Sequence, residues 1–312
     1  MKRLPALLLG LLPAACSFPP APPHPHYALG TAYQADGVWH YPRRQLDAVA
    51  TGLAAVAASD HPPLTADGEA FDQDALAAGS PSLQLPAIAR LTNLANGRQV
   101  EVRINDRGPA DPGRLVVVTR RVANLLGIPQ GGTTPVRLDV LPGPSQAAEA
   151  ALPGAPALAM AALPVGAVTA TALGPAGGAS VDPTRIALAP VAPAPAAPAP
   201  VAPDIAPPDR PAPAGGIVPA LSGQVTQSAP VPTALWVRLD SFIEYQYAAM
   251  LTARLAGLHP VIRREIADGE EQFVVRIGPF VPGVRGVAAA DATLRQAIRA
   301  GAGDARIVVE QE

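Results

Sequence analysis

The chain is short of most of what builds an ordinary soluble enzyme. Aromatic residues make up 4% of its 312 positions and charged residues 15%, against 39 prolines. Much of it therefore has no means of packing into a core. Cys16 is the only cysteine, which excludes an intrachain disulfide framework and a cysteine-based zinc cluster. No metal and no cofactor are expected. A net charge of −2 gives no reason to expect nucleic acid as a partner. Glycine has no strict period of three, so a collagen-like repeat fails. The apolar run Leu4 to Leu12 is too short to span a bilayer.

What is present divides the chain into segments, and the length alone suggests two domains. Met1-Lys2-Arg3 is basic, the apolar run follows, and Pro13-Ala14-Ala15 ends it with small residues. Residues 1–15 read as an export signal. With Cys16 immediately after, the segment resembles a bacterial lipoprotein signal, in which that cysteine becomes the lipid-modified N-terminus. Pro13 departs from the leucine that pattern prefers. Ser17 stands where an aspartate would resemble inner-membrane retention, so the outer membrane is expected. Acyl chains bury methylenes at about 0.8 kcal/mol each, so a multiply acylated Cys16 is a firm anchor. Residues 16–26 form a proline-rich tether. Tyr27 to Pro42 carries aromatics at intervals, the mark of a clamp on a domain surface.

Thr51 to Leu141 reads as a compact β-rich domain. Asn96-Gly97 lies between alternating runs near Ala89 to Asn93 and Gln99 to Ile104, a hairpin signal. Val100, Val102 and Ile104 share one face, and Glu101, Arg103 and Asn105 the other. Asn105-Asp106 then leaves the sheet, and Arg107-Gly108-Pro109 forces a turn. Leu115 to Val118 reads as a buried strand. Thr119 caps a helix over Arg120 to Leu126, closed by Gly127. Val136 to Val140 is the last strand. Short strands with Gly/Pro turns suggest a small closed barrel.

Thr65-Ala66-Asp67-Gly68-Glu69-Ala70-Phe71-Asp72, Leu85-Pro86, Thr92-Asn93-Leu94, Asn96-Gly97-Arg98, Asn105-Asp106-Arg107-Gly108-Pro109 and Leu126-Gly127-Ile128 follow in order. Together they resemble the double-psi β-barrel domain of the rare lipoprotein A family, over residues 27–141. That family includes endolytic lytic transglycosylases, which cut peptidoglycan without water and leave a 1,6-anhydro sugar end. The resemblance implies that Asp106 is the catalytic acid/base and that Glu69 stabilises developing charge or orients the sugar. It gives Asn105 and Arg107 the orienting of aspartate and substrate. The chain also departs from the pattern. A histidine is expected where Gly79 stands, and a Ser-Trp-Tyr-Gly run where Ala55-Val56-Ala57-Ala58 stands. Val116-Val117-Val118-Thr119 replaces a more polar stretch. His61, before Pro62-Pro63, reads as a loop residue.

Residues 142–232 hold about half of the prolines and no aromatic residue, and read as a disordered Pro/Ala-rich linker. From residue 233 the pattern changes. Strands are expected at Leu235 to Leu239, Val261-Ile262, Phe273 to Ile277 and Ile307 to Val309. Helices are expected through Ala248, Leu251, Leu255 and Leu258, with Ser241 to Glu244 as capping box, and through Ala290, Leu294 and Ala297. The result is a βαββαβ-like α+β sandwich with a four-stranded antiparallel sheet. Phe273-Val274-Val275-Arg276-Ile277-Gly278-Pro279-Phe280 and the closing Gly303 to Val309 resemble a SPOR domain. That family binds denuded glycan strands, enriched at division septa, on its open sheet face. Trp236, Arg238 and Arg276 are the candidate contacts.

The fold expected is thus multidomain, a double-psi barrel and a SPOR domain on one tether. Two functions fit it. One is a lipid-anchored, outer-membrane transglycosylase of the cell envelope acting on denuded septal glycan, with septal proteins as possible partners. The other is a peptidoglycan-binding lipoprotein that no longer cuts. Asp106 and Glu69 favour the first; Gly79 and Ala55-Val56-Ala57 favour the second.

Overall fold

The computed structural model describes residues 22–156, 220–267 and 269–311. The export signal, Cys16 and residues 157–219 lie outside the described residues. Six strands close into the barrel: β3 (Val49–Val56), β4 (Ala77–Gly79), β5 (Ala87–Asn93), β6 (Arg98–Asp106), β7 (Val116–Val118) and β8 (Thr133–Val140). Their order is β4-β7-β3-β8-β5-β6, and β6 pairs back onto β4 to complete the ring. The β3–β7 and β4–β6 pairs are parallel and the rest antiparallel. Closure leaves these strands no free edge. A short hairpin, β1 (Tyr33–Ala35) with β2 (Val38–His40), precedes the barrel.

Local chemistry fixes the ends of these elements. Gly97, at φ +73°, turns β5 into β6. Helix α1 (Arg120–Leu126) starts at Thr119, whose side chain accepts the Val122 N–H, and stops at Gly127 in the left-handed region. Val122, Ala123 and Leu126 are fully buried against Val100, Val102, Ile104, Leu91 and Leu138. Shortening Leu126 to alanine would cost about 2–5 kcal/mol.

The folded region extends past the sequence boundaries on both sides. The backbone N–H groups of His24 and His26, placed in the tether, donate to the carbonyls of Gly68 and Asp67. Pro142–Ala150, placed in the linker, forms helix α2. Its Ser145 is buried and bonds both backbone groups of Ile88, and its Glu149 pairs with Arg44 at 2.8 Å. At the linker's far end Leu221 packs on the barrel core, and β9 (Thr226–Gln227) pairs with Arg98 and Gln99 of β6. Sequence reasoning missed these pieces because proline and alanine dominate the composition around them. Each is held by the barrel, not by its own propensity.

The C-terminal domain runs β10 (Thr233–Phe242), α3 (Tyr245–Arg254), a 3₁₀ turn (Ala256–Leu258), β11 (Val261–Ala267), β12 (Glu270–Phe280), α4 (Val284–Arg299) and β13 (Arg306–Gln311). The sheet is antiparallel in the order β11-β12-β10-β13, as the βαββαβ reading requires. Leu235, Val237, Leu239, Ala248, Leu251, Leu255, Ala290, Leu294 and Ala297 form its core. The capping box does not form. Ser241 and Phe242 are still paired with β12, and Glu244 precedes α3 with no side-chain cap bond.

Barrel and C-terminal domain belong to one compact unit. Leu53 and Leu94 of the barrel join the C-terminal core cluster. Arg114 grips Asp291 of α4 through two bonds of 2.7 and 2.8 Å, with both side chains only 11% exposed.

Candidate active site

Asp106 is the last residue of β6, and the turn after it is held by its own carboxylate. Oδ1 accepts the backbone N–H groups of Ala66 and Arg107, both at 2.8 Å. Oδ2 lies 2.6 Å from Nε2 of His61. The other ring nitrogen, Nδ1, is 2.8 Å from the Pro62 carbonyl. A carbonyl only accepts, so Nδ1 carries a hydrogen. The short Nε2–Oδ2 contact therefore holds one further proton, borne either by an imidazolium beside a carboxylate or by a carboxylic acid beside a neutral ring. The His61 ring stacks on Phe71 with centroids 3.7 Å apart and planes 18° apart. Side-chain exposures of 18% and 12% leave the pair reachable from solvent. The reading of His61 as a plain loop residue is corrected. No local pattern marks it, because the loop from β3 brings it to Asp106 only when the barrel closes.

Gly79 shows why the histidine does not come from β4. Its register partner on β6 is Asp106, so a side chain there would stand beside the carboxylate. A Cβ at position 79 would meet Val117 Cγ1 at 2.9 Å and the carbonyls of Asp106 and Gly108 at 3.4 Å. Val117, on β7 opposite Gly79, takes the space a larger residue needs. Ala55 and Val56, where the resemblance expects aromatics, are half-buried at the end of β3.

Glu69 sits on a tight turn built around Asp67. The Thr65 hydroxyl donates to Asp67 Oδ1 at 2.7 Å, and the Glu69 N–H donates to the same oxygen at 3.3 Å. Gly68 has φ +81°, and any Cβ on it would lie 2.3 Å from the His24 carbonyl. Asp67 is fully buried, and its Oδ2 has no partner among the described residues. Burial pushes its carboxyl up to about 6; the Thr65 bond opposes the shift and the Glu69 charge adds to it. The Glu69 carboxylate accepts Arg103 Nε at 2.8 Å and Asn105 Nδ2 at 2.8 Å, with Arg103 Nη2 at 2.6 Å. It faces a cavity of about 340 Å³ lined by Phe71, Leu76, Arg103, Asn105 and Leu221 among others. Asp106 and His61 do not line it. Consecutive strand residues point to opposite faces, which puts Asn105 with Glu69 and Asp106 with His61. Phe71 touches both, lining the cavity and stacking on the histidine.

The remaining candidates fall elsewhere. The Arg107 guanidinium donates to the backbone carbonyls of Ala28, Leu29, Ser80 and Leu83. It ties the N-terminal segment to the barrel, and only its backbone N–H reaches Asp106. Asn105 orients Glu69 in place of the aspartate. On the C-terminal sheet, Arg276 lies 3.7 Å over the Trp236 ring and pairs with Glu310, while Arg238 is 3.8 Å from Glu265. Among the described residues no group of three His, Cys, Asp or Glu side chains is placed to hold a metal.

Residues 50–138 match a family model described as "Lytic transglycolase". The endolytic peptidoglycan transglycosylase RlpA of Escherichia coli K12 is 48% identical over 89 residues, 28% of this chain and 24% of that protein. The Yersinia pestis protein of the same name is 47% identical over 77 residues, 25% of this chain and 21% of its own length. The chain thus spans well under half the length of these curated relatives. The SPOR domain of RlpA from Pseudomonas aeruginosa aligns at 22% identity and TM-score 0.20, over 24% of this chain and 96% of that one. Over its barrel, the chain is thus similar to the endolytic peptidoglycan transglycosylases named RlpA.

Proposed function

We propose that this chain is an endolytic peptidoglycan lytic transglycosylase acting on denuded glycan strands. The observation that carries the reading is the 2.6 Å contact between Asp106 and His61. Cleavage requires a proton delivered to the leaving glycosidic oxygen and another removed from the C6 hydroxyl. The C6 oxygen then bonds to the anomeric carbon as the bond to the next sugar breaks. One proton is given and one recovered, so no water is consumed and the pair returns to its starting state. A carboxyl and an imidazole sharing a proton are suited to that exchange. The backbone donors on Oδ1 fix the carboxyl plane, and Phe71 fixes the ring.

Glu69 takes the supporting role. Held by Arg103 and Asn105, it lines a neighbouring cavity and presents a fixed negative field and hydrogen-bond acceptors to a sugar bound across the barrel end. Trp236, Arg238 and Arg276 on the C-terminal sheet are the strand-gripping contacts. Cys16 is the lipidation site, placing the chain on the periplasmic side of the outer membrane, and the C-terminal domain concentrates it at the septum. The family match and the names of the relatives support this reading.

The experiment is incubation of the full chain with denuded strands and mass spectrometry of the products. Anhydro-ended fragments that vanish in Asp106→Asn support it. The second reading, a glycan-binding lipoprotein without activity, draws on one observation: Glu69 and Asp106 do not line a common cavity. Binding without any fragments would select it.

A further inference from the structure

Arg238 on the central strand β10 faces Arg276 of β12 on one side and Arg306 of β13 on the other. Residues directly opposite in antiparallel pairs share a face, and like charges so placed are destabilising. A fold that keeps three arginines abreast has a use for them. Glu310 neutralises Arg276, and Glu265 approaches Arg238 at 3.8 Å. Arg306 has no acidic partner within salt-bridge distance among the described residues. Partial desolvation, with Arg238 close by, pushes its guanidinium below the usual range.

This row is only partly open to solvent: the Arg276 and Arg238 side chains are 13% and 27% exposed, and Arg306 is exposed. The row forms one side of a cleft of about 680 Å³ whose other side is the barrel, with Trp39, His40, Tyr41, Arg43 and Thr51 in its lining. Trp39 and Tyr41 are 51% and 60% exposed and stack at 6.5 Å and 26°. Arg43 adds another cation without an acidic partner among the described residues. Two buried nitrogens of lining residues, His40 Nε2 and Arg276 Nε, have no hydrogen-bond partner there, and such orphans call for a ligand or water. The Arg114–Asp291 clamp and Leu53 hold the two sides together.

We propose that this cleft is a single binding trough for an aminosugar strand bearing free carboxylates. The arginine row reads the carboxylates, and the barrel's Trp39 and Tyr41 stack on the sugar rings. The inference rests on the peptidoglycan reading above and adds the barrel hairpin and Arg306 to the site. Pyranose rings present flat C–H faces to aromatic surfaces. Muramic acid carries a lactyl carboxylate, free once the stem peptide is removed, and an arginine fork reads a carboxylate through two parallel bonds. Arg276 and Arg306 stand two strand spacings apart, about 10 Å, close to one disaccharide repeat and hence to successive lactyl groups. Selection for stripped strands follows from this chemistry.

The test is equilibrium binding of the full chain to denuded strands and to the same strands with their carboxyls reduced to alcohols. Arg306→Gln and the double variant Trp39→Ala/Tyr41→Ala are each expected to weaken binding of native strands about tenfold. Carboxyl reduction should weaken wild type at least as much, and should cost Arg306→Gln less than it costs wild type. Unchanged affinity in the aromatic variant, with circular dichroism intact, removes the barrel from the site. Equal binding of reduced and native strands, or equal binding of heparin, overturns carboxylate reading. If wild type binds no glycan at all, the peptidoglycan reading itself fails.

Discussion

Asp106 and Glu69 are both tied to the last residues of β6, one against a histidine and the other against an arginine. An imidazole can act as both proton donor and acceptor, whereas a guanidinium stays charged. In the proposed mechanism the Asp106 pair exchanges a proton, while the Glu69–Arg103–Asn105 group supplies fixed geometry and charge. The two carboxylates bonded at this strand end differ in setting because their partners differ. The turn from Thr65 to Glu69 links them, since Ala66 bonds Asp106 while Asp67 anchors Glu69.

That contrast can be broken at four places. Asp106→Asn removes the exchangeable proton and should lower the rate of anhydro-fragment release by about 10³-fold or more, within the scale of acid–base catalysis. His61→Ala should cost about 10²-fold. Adding Gly79→His to that variant should restore activity only when Val117→Ala also opens the space; product release measured across the three combinations checks it. Recovery without trimming Val117 would contradict the packing account.

Asp67 sharpens the contrast through stability. Burial raises its carboxyl from the ordinary 3.8 to about 6 in the folded chain. The stability it contributes is complete below about pH 4 and is lost as pH rises through 6, because the folded state then ionises a buried group. The loss amounts to about 3 kcal/mol. Asp67→Asn should match wild type near pH 4 and exceed it above pH 6 in urea unfolding; parallel curves at all pH values would refute this. Glu69→Gln keeps the shape and weakens the Arg103 pair, so it should lower activity about tenfold and stability by about 1 kcal/mol. A loss as large as that of Asp106→Asn would make Glu69 an equal participant in the chemistry.

Much of this was legible in the chain. The Asn96-Gly97 turn, the Thr119 and Gly127 caps and the alternation through β6 are local, and each formed as read. So did the order of the C-terminal elements, because helix and strand periods are distinct there. The alternation even separates Arg103 and Asn105 from Asp106 by face, and so contains the division between the two acids. The capping box failed because pairing of Ser241 and Phe242 with Val274 and Phe273 offers more hydrogen bonds than an early helix start.

The sequence by itself determined the barrel and the sandwich at the C-terminus, since these depend on contacts within a few residues or on periodic patterns. Only the tertiary structure decided which histidine meets Asp106, why Gly79 stays small, where Arg107 points and that the open sheet faces a barrel hairpin. Those facts depend on residues far apart in the chain that become neighbours by closure and docking, and no spacing rule encodes such encounters.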